Sequence, residues 1–322
     1  MTARQRLAKI GVFLAVWLWL AALSVLIAPA IALADTVVVT GASDVSDGNT
    51  ASIAALNANP GPDGVISLRE AIAAARNTAG ADLVAFDIPD SDAGYQPALG
   101  VWRIEPTTSL QLLGNETTID GRTQGYAQGD RNPDGPEIEI RGSRVALGTS
   151  GFIVSGNDNA LRGLAVTGYR SDEPPGNLPN TAAILVTGQG NTIEYCYLGL
   201  DPSGHTATGN YTGIAIPFAL PTATQLTTIR FNVISGNTYA GIYVQGKARI
   251  QANMIGTDPT GEAGIANRIG IFSYNTSSDL QIGGMLLFDG NTIAYNTDDG
   301  IRWFGGSALA AGSAPAMSAP AL

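Results

Sequence analysis

The stretch "NTYAGIYVQGKARIQANMIGTDPTG", Asn237–Gly261, decides the fold. Its first half carries a short alternating run, "GIYV" from Gly241, which sends Ile242 and Val244 to the same side, the period of a strand. A second run, "RIQANMIG" from Arg249, follows after a few residues. The unit closes with "DPTG" at Asp258–Gly261, where Asp at the first position, Pro at the second and Gly at the fourth spell a type I turn.

The same grammar recurs in both directions. The first run reappears as "GFIV" from Gly151, "AILV" from Ala183, "GIAI" from Gly213, "GIFS" from Gly270 and "GIRW" from Gly300. With Gly241 included, successive starts lie 32, 30, 28, 29 and 30 residues apart, a spacing in the solenoid range. The second run reappears as "TIEYCYLG" from Thr192, "TIRFNVISG" from Thr228 and "TIAYN" from Thr292. Three residues after its isoleucine stands Cys196, Asn232, Asn253 or Asn296, and asparagines stacked at the strand spacing hydrogen-bond up a ladder. Cys196 is the exception in that slot and reads as a small buried residue, since neither a histidine nor a second cysteine accompanies it. "DPSG" at Asp201–Gly204 matches "DPTG", so turn chemistry accounts for both aspartates.

Strands this short bury no face alone and must stack on their neighbours. A sandwich has no need of near-identical units at constant spacing, and after residue 80 no amphipathic stretch is long enough for a helical crossover. The reading is all-β: a parallel β-helix over 35–304. One helix breaks the pattern. "ISLREAIAAARN", Ile66–Asn77, opens with Ser67 and Glu70 in capping-box spacing and places Leu68, Ile72 and Ala75 on one face. A solenoid ends in an open rung, and an amphipathic helix near 67–77 laid across it covers the apolar core.

The flanks read differently. Residues 1–34 combine a basic start at Arg4, Arg6 and Lys9 with an apolar run from Ile10 to Ala28. Pro29 and the small-residue site Ala32-Leu33-Ala34 follow, which together predict a signal peptide and export to a secreted or cell-surface location, with no membrane segment after cleavage. Removing those three basic residues takes the formal charge from −10 to −13, a surface that repels phosphate backbones, so no nucleic-acid partner is expected. A single cysteine excludes an internal disulfide framework, so stability rests on burial. The tail at 305–322 is Ala/Ser/Pro-rich and reads as a disordered linker or the end of a shortened reading frame. The last rung, around Trp303 and Phe304, is then a surface for end-to-end self-association.

These residues resemble a family of secreted and surface bacterial proteins named for a C-S-L-R-E-A motif. The resemblance runs through "DTVVVT" from Asp35, "NPGPDGVISLREAI", "GADLVAFDIP" at Gly80–Pro89 and "TTIDGRTQGY" at Thr117–Tyr126, then "NVISGN" and "NMIGTDPTG". It implies a right-handed parallel β-helix of the pectate-lyase-like superfold and no single activity. Ile66 stands where the motif has its cysteine, so a thiol role there is absent.

Three candidate sites follow from the residues. Asp298 and Asp299 in "NTDDG" are the pair closest to the carboxylates of a polygalacturonase-like glycosidase. "NTYAGI" repeats that frame without acids, and adjacent strand residues point to opposite faces. A lyase would need carboxylates holding Ca²⁺ beside an arginine base, with Arg230, Arg249, Arg268 and Arg302 on offer but no repeated acidic cluster beside them. "NPGPDGVISLRE" places Asn59, Asp63 and Glu70 at positions one, five and twelve of an EF-hand-like Ca²⁺ loop, but Gly61 leaves position three empty and the capping box already uses Glu70. No catalytic triad or resident cofactor is expected. The reading is an exported scaffold that binds a polysaccharide or cell-surface ligand, with Tyr195, Tyr197, Tyr243 and Tyr274 available to stack on sugars. The alternative is a polysaccharide lyase or glycoside hydrolase. Three or more carboxylates with Arg or Lys on one face would favour the enzyme, and a face of Asn, Thr and Gly the scaffold.

Overall fold

The computed structural model describes residues 34–172, 181–218, 224–274 and 279–304. Most of the predicted leader, residues 1–33, and the tail at 305–322 lie outside them. The described chain winds through three sheets in turn, of eight, eight and seven strands, here called A, B and C. Sheet A holds Asp35–Val39, Asp82–Phe86, Thr117–Asp120, Ala160–Arg162, Thr192–Glu194, Thr227–Arg230, Ala248–Gln251 and Leu280–Ile282. Sheet B runs from Val101–Ile104 to Thr292–Ile293, and sheet C from Leu110–Leu112 to Asp299–Phe304. Within the three sheets every strand pairing is parallel except Tyr95–Gln96, which runs antiparallel to Val101–Ile104 at the start of sheet B. This is a parallel β-helix.

The strand-starting glycines of the first run all lie in or beside sheet C, and their isoleucines form one column. Leu110, Phe152, Ile184, Ile214, Ile242, Ile271 and Ile301 pair in register, one above the next. Matching columns line the other two sheets: Val84–Ile119–Leu161–Ile193–Ile229–Ile250–Ile282 in A, and Ile104–Ile140–Val166–Leu198–Ile234–Ile255–Ile293 in B. Ile214, Ile242 and Ile271 are 0% exposed. Each such side chain contributes about 1.5–3 kcal/mol by burial. Ile301, in the last described strand, is 45% exposed.

The corners are tied by asparagines. Between sheets A and B, Asn232 Oδ1 accepts the Cys196 amide at 2.9 Å, Asn253 Oδ1 that of Asn232 at 3.0 Å, and Asn291 Oδ1 that of Asn253 at 3.0 Å. Between B and C a second ladder climbs through Asn210, Asn237, Asn267 and Asn296. The expected single ladder is therefore two. "TIAYN" is a sheet B strand, pairing Thr292 with Met254, so Asn296 belongs to the second ladder and Asn291 completes the first. The thirty-residue repeat holds two Thr/Arg-Ile runs with similar side chains, and only pairing tells them apart. Cys196 ends its ladder against Leu164 and points its thiol at the Glu194 carbonyl, 3.3 Å away.

Helix α1, Ile53–Ala58, and helix α2, Leu68–Arg76, close the N-terminal end. Helix α2 packs across the first strands of sheets A and C and buries Leu68, Ala71, Ile72, Ala74 and Ala75. Its capping box is complete: Ser67 Oγ accepts the Glu70 amide, and Glu70 Oε2 accepts the Ser67 amide at 3.0 Å. Neither α1 nor helix α3, Thr123–Gln128, is expected from the sequence; both have six residues, too few for a periodic stripe. Among the described residues no helix is long and apolar enough to cross a membrane.

Candidate functional site

The outer faces of sheets B and C are largely covered. Over sheet B, the turns at Asn132–Gly135, Asp201–Gly204 and Asp258–Gly261 stack on one another. Asn132 Nδ2 donates to Pro202 O at 2.9 Å, and the Tyr197 hydroxyl to Asp134 O at 2.6 Å. A Cβ on Gly204, whose φ is +76°, would stand 2.4 Å from Pro259 Cγ, so the turn admits only glycine there. Burial pulls the Asp258 carboxyl upward, but the Thr260 hydroxyl and the amides of Ala263, Glu262 and Gly261 outweigh it and hold it below its ordinary value. That is turn chemistry. Over sheet C, Tyr211, Ala215, Tyr239, Tyr243 and Ile269 build a second apolar cluster, with Tyr211 and Tyr239 stacked at 5.2 Å. Tyr243 is 1% exposed, so the expectation that it meets sugars is corrected: it points outward from the coil but is packed in this cluster.

Sheet A keeps an outer column whose arginines are accessible while its carboxylates are buried beneath them, and its origin is legible strand by strand. Each inward aliphatic is followed by an outward charge: Ile119-Asp120, Leu161-Arg162, Ile193-Glu194 and Ile229-Arg230. Parallel register places these four charges one above another with alternating sign. Glu194 takes both neighbours, Arg162 and Arg230, each at 2.6 Å. Arg122 grips Asp120 by two bonds of 2.9 and 2.7 Å, and this hydrogen bonding raises its guanidinium further above its ordinary value. Thr192, Thr228, Arg249 and Gln281 form the second outward column.

The corner beside this face adds aromatics. Tyr195 and Phe231 hold φ of 58° and 56°, left-handed conformations that cost a bulky residue about 1–2 kcal/mol. The adjoining Asn ladder offsets that cost. Their rings stack at 5.3 Å, with planes 9° apart, and remain 42% and 41% exposed. Arg122 lies over the Tyr195 ring at 5.2 Å, and Arg230 over Phe231 at 5.6 Å. The strip sets four arginines (122, 162, 230 and 249) against Asp120 and Glu194, a local excess of two positive charges on a chain of net charge −10. Such a surface presents forked donors and π-faces. Its two carboxylates are spent on arginines.

The predicted site residues fall elsewhere. Asp298 pairs with Arg268 at 2.7 Å, and Arg302 reaches both Asp298 and Asp299. The strand alternation expected to separate them does not apply, because Asp298 precedes the strand Asp299–Phe304. The hydrogen bond from Arg268 holds the Asp298 carboxyl below its ordinary value, which suits an ion pair and not a proton donor. At the cap, Glu70 Oε1 accepts the amides of Asp47 and Gly48 at 2.7 Å while Oε2 serves the capping box. Asp63 accepts the Val65 amide, and Asn59 is the C-cap of α1. Burial and the charges of Asp63 and Glu70 push the neighbouring Asp47 carboxyl up. Among the described residues no group of three or more His, Cys, Asp or Glu is placed to hold a metal. A cleft of about 240 Å³ between α2 and the strand Leu110–Leu112 is lined by Arg69, Arg76, Asn77, Ser109 and Gln111 but by no carboxylate. Tyr274 stacks on Phe304 at 5.4 Å, away from the sheet A strip. Sequence reasoning missed Phe231, Arg122 and Arg162, although the charge following each inward aliphatic was there to be read.

Comparisons with protein-family models, with curated proteins and with solved structures return no match.

Proposed function

We propose that this chain is an exported β-helix scaffold that binds an acidic glycan or cell-envelope polymer along the outer face of sheet A. One observation carries the reading: an arginine strip edged by stacked Tyr195 and Phe231 on an otherwise acidic chain. Guanidinium groups recognise carboxylates by paired hydrogen bonds, and exposed aromatic rings pack on the apolar faces of sugars. A repeating polymer suits a repeating surface, because successive sugars meet successive strands. The leader sequence supports a secreted or cell-surface location. The face holds two carboxylates, short of the three that would favour an enzyme, and both are paired with arginine.

The test is a binding panel of polyuronates against neutral polysaccharides, read by calorimetry at two salt concentrations. Polyuronate binding that weakens with salt, and falls at least tenfold in Arg230→Ala, is expected. Equal binding to neutral polymers, or none to polyuronates at low salt, refutes the reading. Release of unsaturated uronides in the same samples would move it to a lyase.

A further inference from the structure

Asp82 is the one acidic side chain among the described residues that is buried with both oxygens unpartnered. It is 2% exposed, and neither Oδ1 nor Oδ2 has a hydrogen-bond partner. Its position explains the anomaly. Asp35, Asp82 and Thr117 pair in register along sheet A, and Asn159 and Asn191 continue their line at the residues just before the strands Ala160–Arg162 and Thr192–Glu194. Higher in that line the side-chain oxygen accepts the main-chain N–H one strand earlier: Asn191 Oδ1 takes the Asn159 amide and Asn159 Oδ1 the Thr117 amide, both at 2.9 Å. The group one strand before Asp82 is the nitrogen of Asp35, which donates to Ala81 O at 3.2 Å. As an amide it has a single proton, already used.

The sequence places its small-residue cleavage motif, Ala32-Leu33-Ala34, immediately before that nitrogen. We infer that the chain is cut between Ala34 and Asp35, and that the α-ammonium so created is the counter-ion of Asp82. Hydrolysis by a leader peptidase consumes one water, leaves a carboxylate on Ala34 and a three-proton cation on Asp35. One proton keeps the bond to Ala81 O, and the other two are free for the carboxylate of Asp82, the residue paired with Asp35 on the adjacent strand, whose backbone lies about 4.8 Å away. The cut is then part of folding as well as of export.

The other charges near Asp82 offer no substitute. Helix α2 packs on this strand with Arg69, Glu70 and Arg76. Arg69 pairs with Asp44, Glu70 is spent on amides, and Arg76, exposed at the end of the helix, lines the cleft beside Leu110–Leu112. The neighbouring strand Thr117–Asp120 contributes Asp120, already held by Arg122. Burial first, and then the Asp35 carboxylate, push Asp82 up to about 6 in the uncut chain. A group raised in the folded state contributes stability below its unfolded value, near 4, and loses it as pH rises through about 6. The ammonium reverses this by lowering Asp82.

The full chain is exported from a host, and its N-terminus is read by intact mass. A start at Asp35 is expected; a start elsewhere, or none, overturns the inference. Lys247 is the one lysine after residue 34, so near-neutral pH, where the α-amine is the less protonated of the two, together with Lys247→Arg, confines acetylation or isotopic dimethylation to the α-amine. Acetylation should lower the urea midpoint progressively between pH 4 and pH 7, and Asp82→Asn should abolish that difference. Equal pH profiles with and without acetylation overturn it. The NMR titration of the dimethylated α-amine should shift upward in the native protein relative to the urea-unfolded protein, and fall back in Asp82→Asn. Should Asp82→Asn fail to fold, the native-against-unfolded comparison stands alone: coincident titrations refute the pairing.

Discussion

Asn237 sits in the middle of the ladder between sheets B and C, and Asn237→Ala tests whether such ladders hold the coils together. Its Oδ1 accepts the Asn210 amide at 3.3 Å and Asn210 Nδ2 at 3.2 Å, while its Nδ2 donates to Leu198 O at 3.0 Å and Asn267 Oδ1 at 2.8 Å. At 1% exposure, water does not replace these bonds. Three of the four partners keep another bond: Asn210 Nδ2 to Val166 O, Leu198 O from the Ser235 amide, and Asn267 Oδ1 from the Asn237 amide. The Asn210 amide alone is orphaned. An orphaned buried donor costs about 1–3 kcal/mol and each of the three further lost bonds about 0.5–1.5, so a loss of about 2.5–7.5 kcal/mol is expected. Asn296, half-buried at the top of the same ladder, gives up bonds of 3.0 and 3.2 Å that water partly restores, and Asn296→Ala should cost about 1–2 kcal/mol. Urea unfolding followed by circular dichroism, with unchanged slopes, measures both. A loss under about 1 kcal/mol for Asn237→Ala, or a reversed ranking, would show that the ladders decorate the coil without supporting it.

Ile242→Ala, which empties the centre of the sheet C column, should cost about 2–5 kcal/mol in the same assay; a smaller loss would mean the coils tolerate a void there. Ser67→Ala should cost about 0.5–2 kcal/mol, toward the upper end because Ser67 Oγ also donates to Val45 O at 2.6 Å. Burial pushes the Cys196 thiol up to about 12, so native protein at neutral pH should resist a thiol reagent that reacts at once after unfolding. Rapid native labelling would contradict its packing.

The sequence by itself determined the architecture. The thirty-residue period, the alternation around Ile214, Ile242, Ile271 and Ile301, the turn chemistry of Asp201 and Asp258, and the capping box at Ser67 and Glu70 all reappear in place. These are local signals: periodicity, turn residues and caps are written within a few residues of the structure they specify. Pairing between coils decided the rest, because it joins residues about thirty positions apart that carry no mark of their partners. Only the stacked coils separate Asn291 from Asn296, bury Tyr243, bring Arg268 onto Asp298, and align Asp120, Arg162, Glu194 and Arg230 into one charged column. A side chain's direction follows from its own strand, but what it meets is set by register and by the loops folded over each face.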